Sequence, residues 1–426
     1  MQSNGEFRKL FCRPISRAAT AALALATVFA LTMVFTQPAQ AQTFKVIHSF
    51  TGLNGDGANP YAGLTMDKAG NFYGTTSLGG GTGNGTVFKA AKKGAGWIVT
   101  PLYTFQGPPD GASPEARVIF GPDGSLYGTT YFGGTCGQCG TVFSLKPFPT
   151  ACVTALCGWQ ETVLYNFTGG SDGMNPALGD LIFDQAGNLY GTTTGGGAYG
   201  YGTVFELVRS QGGWTESVLY SFTGRSDGSQ PFAGVIFDKA GNLYGTTAYG
   251  GDYTWGTVYE LTPSGSGWTV NVLHAFQGGS DGANPFGGLI FDQSGNLYGS
   301  NWYAGQYEGG TVFKLTPSNG SWTYSVLYSF DGIGPYGSVA NLVMDGAGNL
   351  YGTTLNDGHG KYGEGNVFEM TPSGGSWTYT SLYDFTGLND GAEPICNVTF
   401  DAKGNLYGTT YYGGADGYGV VWEITP

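Results

Sequence analysis

Charge is scarce in this chain. Only 11% of its 426 residues are Asp, Glu, Lys or Arg, and the acids outnumber the bases by 30 to 17. That argues against a nucleic-acid partner, because binding at phosphates needs clustered Lys and Arg. The same shortage argues against adhesion to anionic lipid headgroups. Histidine is scarcer still, with three in all. His48 and His274 occupy a slot that Tyr103, Tyr165, Tyr220, Tyr328 and Tyr383 fill elsewhere, which leaves His359 alone outside a pattern. A Ser-His-Asp triad or a His-rich metal site therefore lacks its parts. Neither a Gly-x-Ser-x-Gly nucleophile elbow nor a phosphate loop is expected.

Long apolar runs are absent too, except at the start. Ala18 to Phe35 is apolar, follows Arg8, Lys9, Arg13 and Arg17, and precedes Ala39-Gln-Ala41. That order reads as a secretory signal peptide over residues 1–41, with cleavage after Ala41. An uncleaved anchor is the alternative, since such a run could nearly span a bilayer. Cys12 precedes the run and cannot serve as a lipoprotein cysteine. No membrane span is expected in the mature chain. Cleavage would remove four bases and Glu6, leaving a net charge of −16 against −13 for the whole sequence.

Glycine and aromatic residues are abundant, with 78 glycines and 15% Phe, Trp and Tyr. The chain writes Phe237-Asp-Lys-Ala-Gly-Asn-Leu-Tyr-Gly-Thr-Thr247 in seven variants, anchored at Tyr73, Tyr127, Tyr190, Tyr244, Tyr298, Tyr351 and Tyr407. The anchors lie 54, 63, 54, 54, 53 and 56 residues apart. A recurrent period in the fifties points to a propeller or a solenoid.

One repeat parses as four strands. Val235-Ile-Phe237 is a short apolar run, and Asp238 to Asn242 is a turn with Gly where φ > 0 is wanted. Leu243 to Thr247 is the second strand. After a glycine-rich loop, Thr257 to Leu261 alternates as a third strand. Pro263 to Gly267 turns the chain, and Trp268 to Phe276 alternates as the fourth. Four antiparallel strands make one propeller blade. Phe44-Lys-Val-Ile-His-Ser-Phe50 matches a fourth strand, and Val420-Val-Trp-Glu-Ile424 a third. Joining them closes a ring and removes its open edges. The expected fold is an all-β, seven-bladed propeller over 42–426, its last blade closed by the N-terminal strand.

Inner strands begin with small residues, such as Ala62-Gly63, Gly179, Ala233-Gly234, Gly287-Gly288, Ala340 and Cys396, as crowding at an axis requires. Trp97, Trp159, Trp214, Trp268, Trp322 and Trp377 recur near the start of the fourth strand and read as blade-to-blade packing.

The pattern Phe-Asp-x-x-Gly-Asn-Leu-Tyr-Gly-Thr-Thr, then Gly-Gly, then Gly-Thr-Val-Phe-x-Leu, resembles the Gloeo/Verruco (GloVer) tandem-repeat family over nearly the whole mature chain. The resemblance implies a propeller and an exported bacterial protein, and no established activity. Some members carry C-terminal anchoring signals; Pro426 directly follows the last strand, so none is expected here. The Gly-Gly after the second strand also resembles a kelch repeat.

Cys136-Gly-Gln-Cys139 and Cys152…Cys157 flank one strand of the second repeat. About seven extended residues at ~3.3 Å each would hold the pairs about 20 Å apart, too far for one zinc ion. Two local disulfides, Cys136–Cys139 and Cys152–Cys157, are expected in an oxidising compartment, although four cysteines allow other pairings. Cys396 is expected to be a buried free thiol.

Asp-Gly-x-x-Pro turns place Asp56, Asp110, Asp172, Asp227, Asp281, Asp331 and Asp390 at one level. A calcium ring is one reading. The blander one is that each Asp bonds its own turn, and it is preferred; no cofactor or metal is assigned. The loops between second and third strands diverge most, and loops carry function. Trp255, Trp302, Tyr303, Glu308, His359 and Glu364 are the candidate ligand-binding residues there, because aromatic faces beside carboxylates suit sugar rings. A polysaccharide or an envelope protein is the expected partner of a monomeric binding scaffold, secreted, periplasmic or at the cell surface. The alternative is a polysaccharide lyase or glycosidase using Glu308 and Glu364 with His359.

Overall fold

The computed structural model describes residues 42–426, apart from residues 54, 149–157, 177, 266, 332–336 and 357–361. The expected signal segment therefore lies outside the described residues, as do Cys152, Cys157 and His359. The chain falls into two units, residues 1–42 with Pro426, and Thr43–Thr425; every strand belongs to the second. Seven four-stranded antiparallel sheets follow one another and form a seven-bladed propeller. In the fourth blade the strands are Ile236–Phe237, Leu243–Thr247, Thr257–Ser264 and Gly267–Ala275, adjacent in that order. The seventh blade takes Thr399–Phe400, Leu406–Thr410 and Val420–Thr425 from the end of the chain and Thr43–Ser49 from its start. Phe44 pairs with Ile424 and Ser49 with Val420, so the two ends close the ring.

The recurrent Leu-Tyr-Gly-Thr-Thr strand is explained residue by residue. Leu243 is fully buried in a cluster that joins Tyr190 and Phe222 of the third blade to Tyr259 and Leu261 of the fourth. The core thus lies between blades, where each large apolar side chain contributes about 1.5–3 kcal/mol. The Tyr244 hydroxyl donates to Asp238 of its own turn (3.3 Å) and to Glu260 (2.6 Å). Gly191 carries the ring of Phe205, which an added Cβ would meet at 2.7 Å. The first Thr stitches blades together: Thr246 Oγ1 donates to the Gly287 carbonyl of the next blade at 3.0 Å. The second clamps its own blade, with Thr247 and Thr257 hydroxyls 2.8 Å apart. Thr129 breaks the stitch and has no partner among the described residues. The approach to the third blade is one residue longer there, five steps from Pro176 to Leu181 against four from Pro60 to Leu64.

In six blades the fourth strand carries near its start a Trp that packs against the anchor Tyr of the blade before; the seventh, whose fourth strand is Thr43–Ser49, has none. Trp322 and Tyr244 ring centroids are 5.9 Å apart, and Trp214 and Tyr127 6.3 Å. Two expectations about strand limits need correction. The third strand runs on through Pro263 to Ser264, pairing Pro263 with Trp268. The fourth does not alternate throughout: the register slips between Val258 and Tyr259, so Leu273 is extra. The slip recurs in every blade. A β-bulge re-aims the side chain beside it, and here His274 reaches Asp281 at 3.1 Å.

Candidate ligand site

The Asp-Gly-x-x-Pro turns hold their own aspartates. Asp172 accepts from the Tyr165 hydroxyl (3.0 Å) and the Thr168 amide (2.7 Å), and Asp227 from Tyr220 and Thr223 in the same way. His48 and His274 fill the Tyr slot as expected, each 3.1 Å from its Asp. Burial works to raise the Asp56 pKa, but hydrogen bonds from His48 and Thr51 outweigh it and leave the carboxyl below its usual range. Burial lowers the His274 pKa against the pull of Asp281. Among the described residues no three His, Cys, Asp or Glu side chains gather as a metal ion would need. The string Gly-x-Ser-x-Gly does occur, at 169–173, 224–228 and 278–282. Each copy is one of these turns and leads to another strand instead of a helix, so it forms no nucleophile elbow.

Below the turns the axis is closed. Arg117 grips Asp180 with its Nη2 at 2.7 Å and its Nε at 3.0 Å. Asn397 Nδ2 also reaches Asp180, at 3.5 Å, and the Asn341 amide donates to Asn397 Oδ1 at 2.7 Å. Gly63 and Gly234 stand at the same level in the first and fourth blades, where a Cβ would strike the carbonyls of Asn397 and Asp180. Above this plug lies a chamber of about 20 Å³, room for about one water.

The chamber opens into a cup of about 350 Å³. Two positions of the repeat build most of it. The residue after the turn Pro supplies Tyr61, Phe286 and Ile395, and the residue after Thr-Thr (Ser300-Asn301 in the fifth blade) supplies Trp302, Leu355 and Tyr411; Leu178 and Val339 come from the approaches to the third and sixth blades. The rings brace one another: Tyr61 and Tyr411 centroids are 5.3 Å apart and Phe286 and Trp302 5.2 Å, both edge to face. Glu393 lines the cup and Glu115 the chamber. Neither carboxyl has a hydrogen-bond or ion-pair partner among the described residues. Burial holds the Glu115 carboxyl up at about 7. Burial, then the charge of Glu364, raises Glu393. Tyr61 lines both spaces, and its hydroxyl is raised by burial and then by the charges of Glu115, Tyr411 and Glu393.

Of the residues singled out from the sequence, Trp302 lines the cup. Tyr303 is half-buried, 6.1 Å from Trp255. Trp255 and Glu364 occupy one repeat position, each lying over a glycine at the exit of its blade's fourth strand, Gly278 and Gly387. Glu364 also accepts the Glu393 amide through its carbonyl (2.9 Å). Glu308 is exposed at the tip of its loop with φ 65°, where five of the seven blades have Gly. Tyr61, Glu115, Phe286, Glu393 and Tyr411 were missed. For all but Glu393 the signal was present, because the positions after the turn Pro and after Thr-Thr change in almost every repeat; Glu393 stands before its Pro, where Asn59, Asn175 and Asn284 stand in other repeats. Cys136 and Cys139 are bonded to each other as expected. The buried Cys396 thiol, pushed up to about 11 by burial, is free.

A model of the Gloeobacter/Verrucomicrobia repeat matches residues 23–158, 154–363 and 325–426. The chain belongs to the Gloeobacter/Verrucomicrobia repeat family. No curated protein matches this family member. Among solved structures it is similar to PorZ, an essential bacterial surface component of the type-IX secretion system of Porphyromonas gingivalis. That likeness is 14% identical over 86% of this chain and 46% of PorZ, with a TM-score of 0.50. The polysaccharide lyase Uly1 is 12% identical over 88% of this chain and 92% of its own, with a TM-score of 0.48. A protein of unknown function from Dyadobacter fermentans is 10% identical over 90% and 98%, with a TM-score of 0.44. At such identities the likeness is one of fold alone. Among the described residues no helix is long and apolar enough to cross a membrane.

Proposed function

We propose that this protein is an exported binding module whose loop face holds an extracellular polysaccharide, with the axial cup as the seat of one sugar residue. The observation that carries the reading is the cup itself: the aromatic rings of Phe286 and Trp302 line it together with Tyr61, Tyr411 and Glu393, which carry hydroxyls and a carboxyl. Sites for small molecules combine an apolar wall with a few convergent polar groups in this way. Its walls are the positions that vary between repeats, so the ring does not need them for its own assembly. Export through residues 1–41 is part of the proposal, and the Cys136–Cys139 bond suits an oxidising address.

The test is titration of the exported protein with soluble polysaccharides, followed by heat and by tryptophan fluorescence. A ligand of the cup should bind at least about tenfold more weakly to Trp302→Ala, the loss expected for about 1.4 kcal/mol of aromatic contact. Binding that survives Trp302→Ala unchanged would move the site elsewhere. A flat panel together with capture of an envelope protein would replace the polysaccharide as partner.

A glycosidase or lyase at the same mouth is the second reading. Glu115 favours it, because a carboxyl held at about 7 can donate or accept a proton near neutral pH. Release of sugar ends that stops in Glu115→Gln would establish it. Among the described residues neither the chamber nor the cup is lined by a cation that could neutralise a uronate, which weighs against a lyase acting on acidic sugars.

A further inference from the structure

The charge on the two sides of the mouth narrows the ligand further. Among the described residues no Lys, Arg or His lines either the cup or the chamber beneath it. Arg117, in the plug below, is committed to Asp180 through two side-chain nitrogens and its own amide. Against this, Glu115 lines the chamber and Glu393 the cup, each together with Tyr61, and neither carboxyl has a partner among the described residues. The blandest account of a carboxyl in such a place is a structural contact, and neither makes one. The bonds that the other acids of this face make to their turns show what a structural Asp looks like here, as with Asp172 and Asp390.

We infer that the axial cup recognises an organic ammonium group carried on a sugar, that is, a residue of a polysaccharide with free amines. The inference rests on the reading of the cup as a sugar seat and adds the charge of the sugar. The carbohydrate ring lies against Trp302 and Phe286, and the ammonium sits between Tyr61, Tyr411 and the two carboxylates. Aromatic faces attract a cation that has shed its water, and hydrogen bonds between charged partners are the strong ones. A carboxylate desolvated beside aromatic rings is stabilised by an opposite charge brought to it. An acidic sugar meets only like charge, and an N-acetylated one loses the ion pair while keeping the ring contact.

The experiment compares three oligosaccharides of equal length on the full exported protein: a glucosamine oligomer, its N-acetylated counterpart and an oligogalacturonate. The glucosamine oligomer should bind at least about tenfold more tightly than the N-acetylated one, and the oligogalacturonate should not bind. The preference should fall to parity in the Glu115→Gln, Glu393→Gln double variant, with the N-acetylated oligomer bound as before. That retained binding also shows that the variant is folded. Equal binding of the first two oligomers by the wild-type protein, weakened by Trp302→Ala, would overturn the ammonium and leave the sugar seat standing. Preference for the oligogalacturonate would overturn it as well. Failure of all three to bind would bring down both readings.

Discussion

Tyr259 carries the most exposed prediction, although it is fully buried. The equivalent third-strand position is Phe88, Phe143, Phe205, Phe313 and Phe368 in five blades and Trp422 in another. Only the fourth blade adds a hydroxyl. It lies against Gly245, where a Cβ would collide with it, and it finds no hydrogen-bond partner. A buried hydroxyl without a partner costs about 1–3 kcal/mol, and the void left by removing one oxygen gives back only part of that. Tyr259→Phe should therefore stabilise the protein by about 1 kcal/mol. Urea unfolding would show this as a higher midpoint at unchanged slope. The repeat supplies the reverse experiment, since Phe205→Tyr places the same hydroxyl over Gly191 and should cost about 1–3 kcal/mol. Destabilisation by Tyr259→Phe, or a neutral Phe205→Tyr, would refute the reasoning, because it would mean that the hydroxyl position is satisfied between these blades.

Gly191→Ala should cost about 1–3 kcal/mol by driving a methyl into Phe205. The cost should shrink when Phe205→Leu is added, which a double-mutant cycle on unfolding midpoints would reveal. Arg117→Leu should destabilise by about 3–5 kcal/mol, because Asp180 is left buried and unpaired at the axis; Asp180→Asn in the same background should recover part of it. Burial, then Asp110 and Asp172 respectively, holds Glu161 and Glu216 up at about 7 from an ordinary 4.5. The folded state keeps these protons longer than the unfolded one, so their contribution is full below about 4.5 and is lost as pH rises through about 7. Unfolding midpoints of the Glu161→Gln, Glu216→Gln double variant should accordingly fall less than those of the wild type over that window.

The ring was legible because its information is one-dimensional. Tyr244-Gly-Thr-Thr recurs at a fixed period, and the surplus strands at the two ends could be matched without coordinates. The strand limits were less so. Pro263 reads as a turn residue, yet it can stand in a strand where no ladder bond is asked of its nitrogen. The bulge at Leu273 is hidden because it inserts an apolar residue into an already apolar strand. The cup escaped for a different reason. Tyr61, Glu115 and Glu393 lie hundreds of residues apart in part, and only the convergence of blades brings them to one mouth. Divergence in the long loops drew attention to Glu308 and Trp255, whereas the single variable residues beside Pro60 and Thr410 look like noise until the axis is known.

The pairing of Thr43–Ser49 with Val420–Thr425 also sets a timetable. Blades one to six are each closed by neighbours in sequence, so each has its strands as soon as about 55 residues are available. The seventh cannot form until the last strand has arrived, and its partner is the first strand made. If the chain crosses a membrane from its N-terminus, that strand reaches the far side early and waits through the passage of all the rest with its edge unpaired. Loop closure over such a separation is slow compared with local pairing. The latch that completes the seventh blade is thus also the last event of the ring's assembly, and any agent that holds the waiting strand would hold the whole ring open.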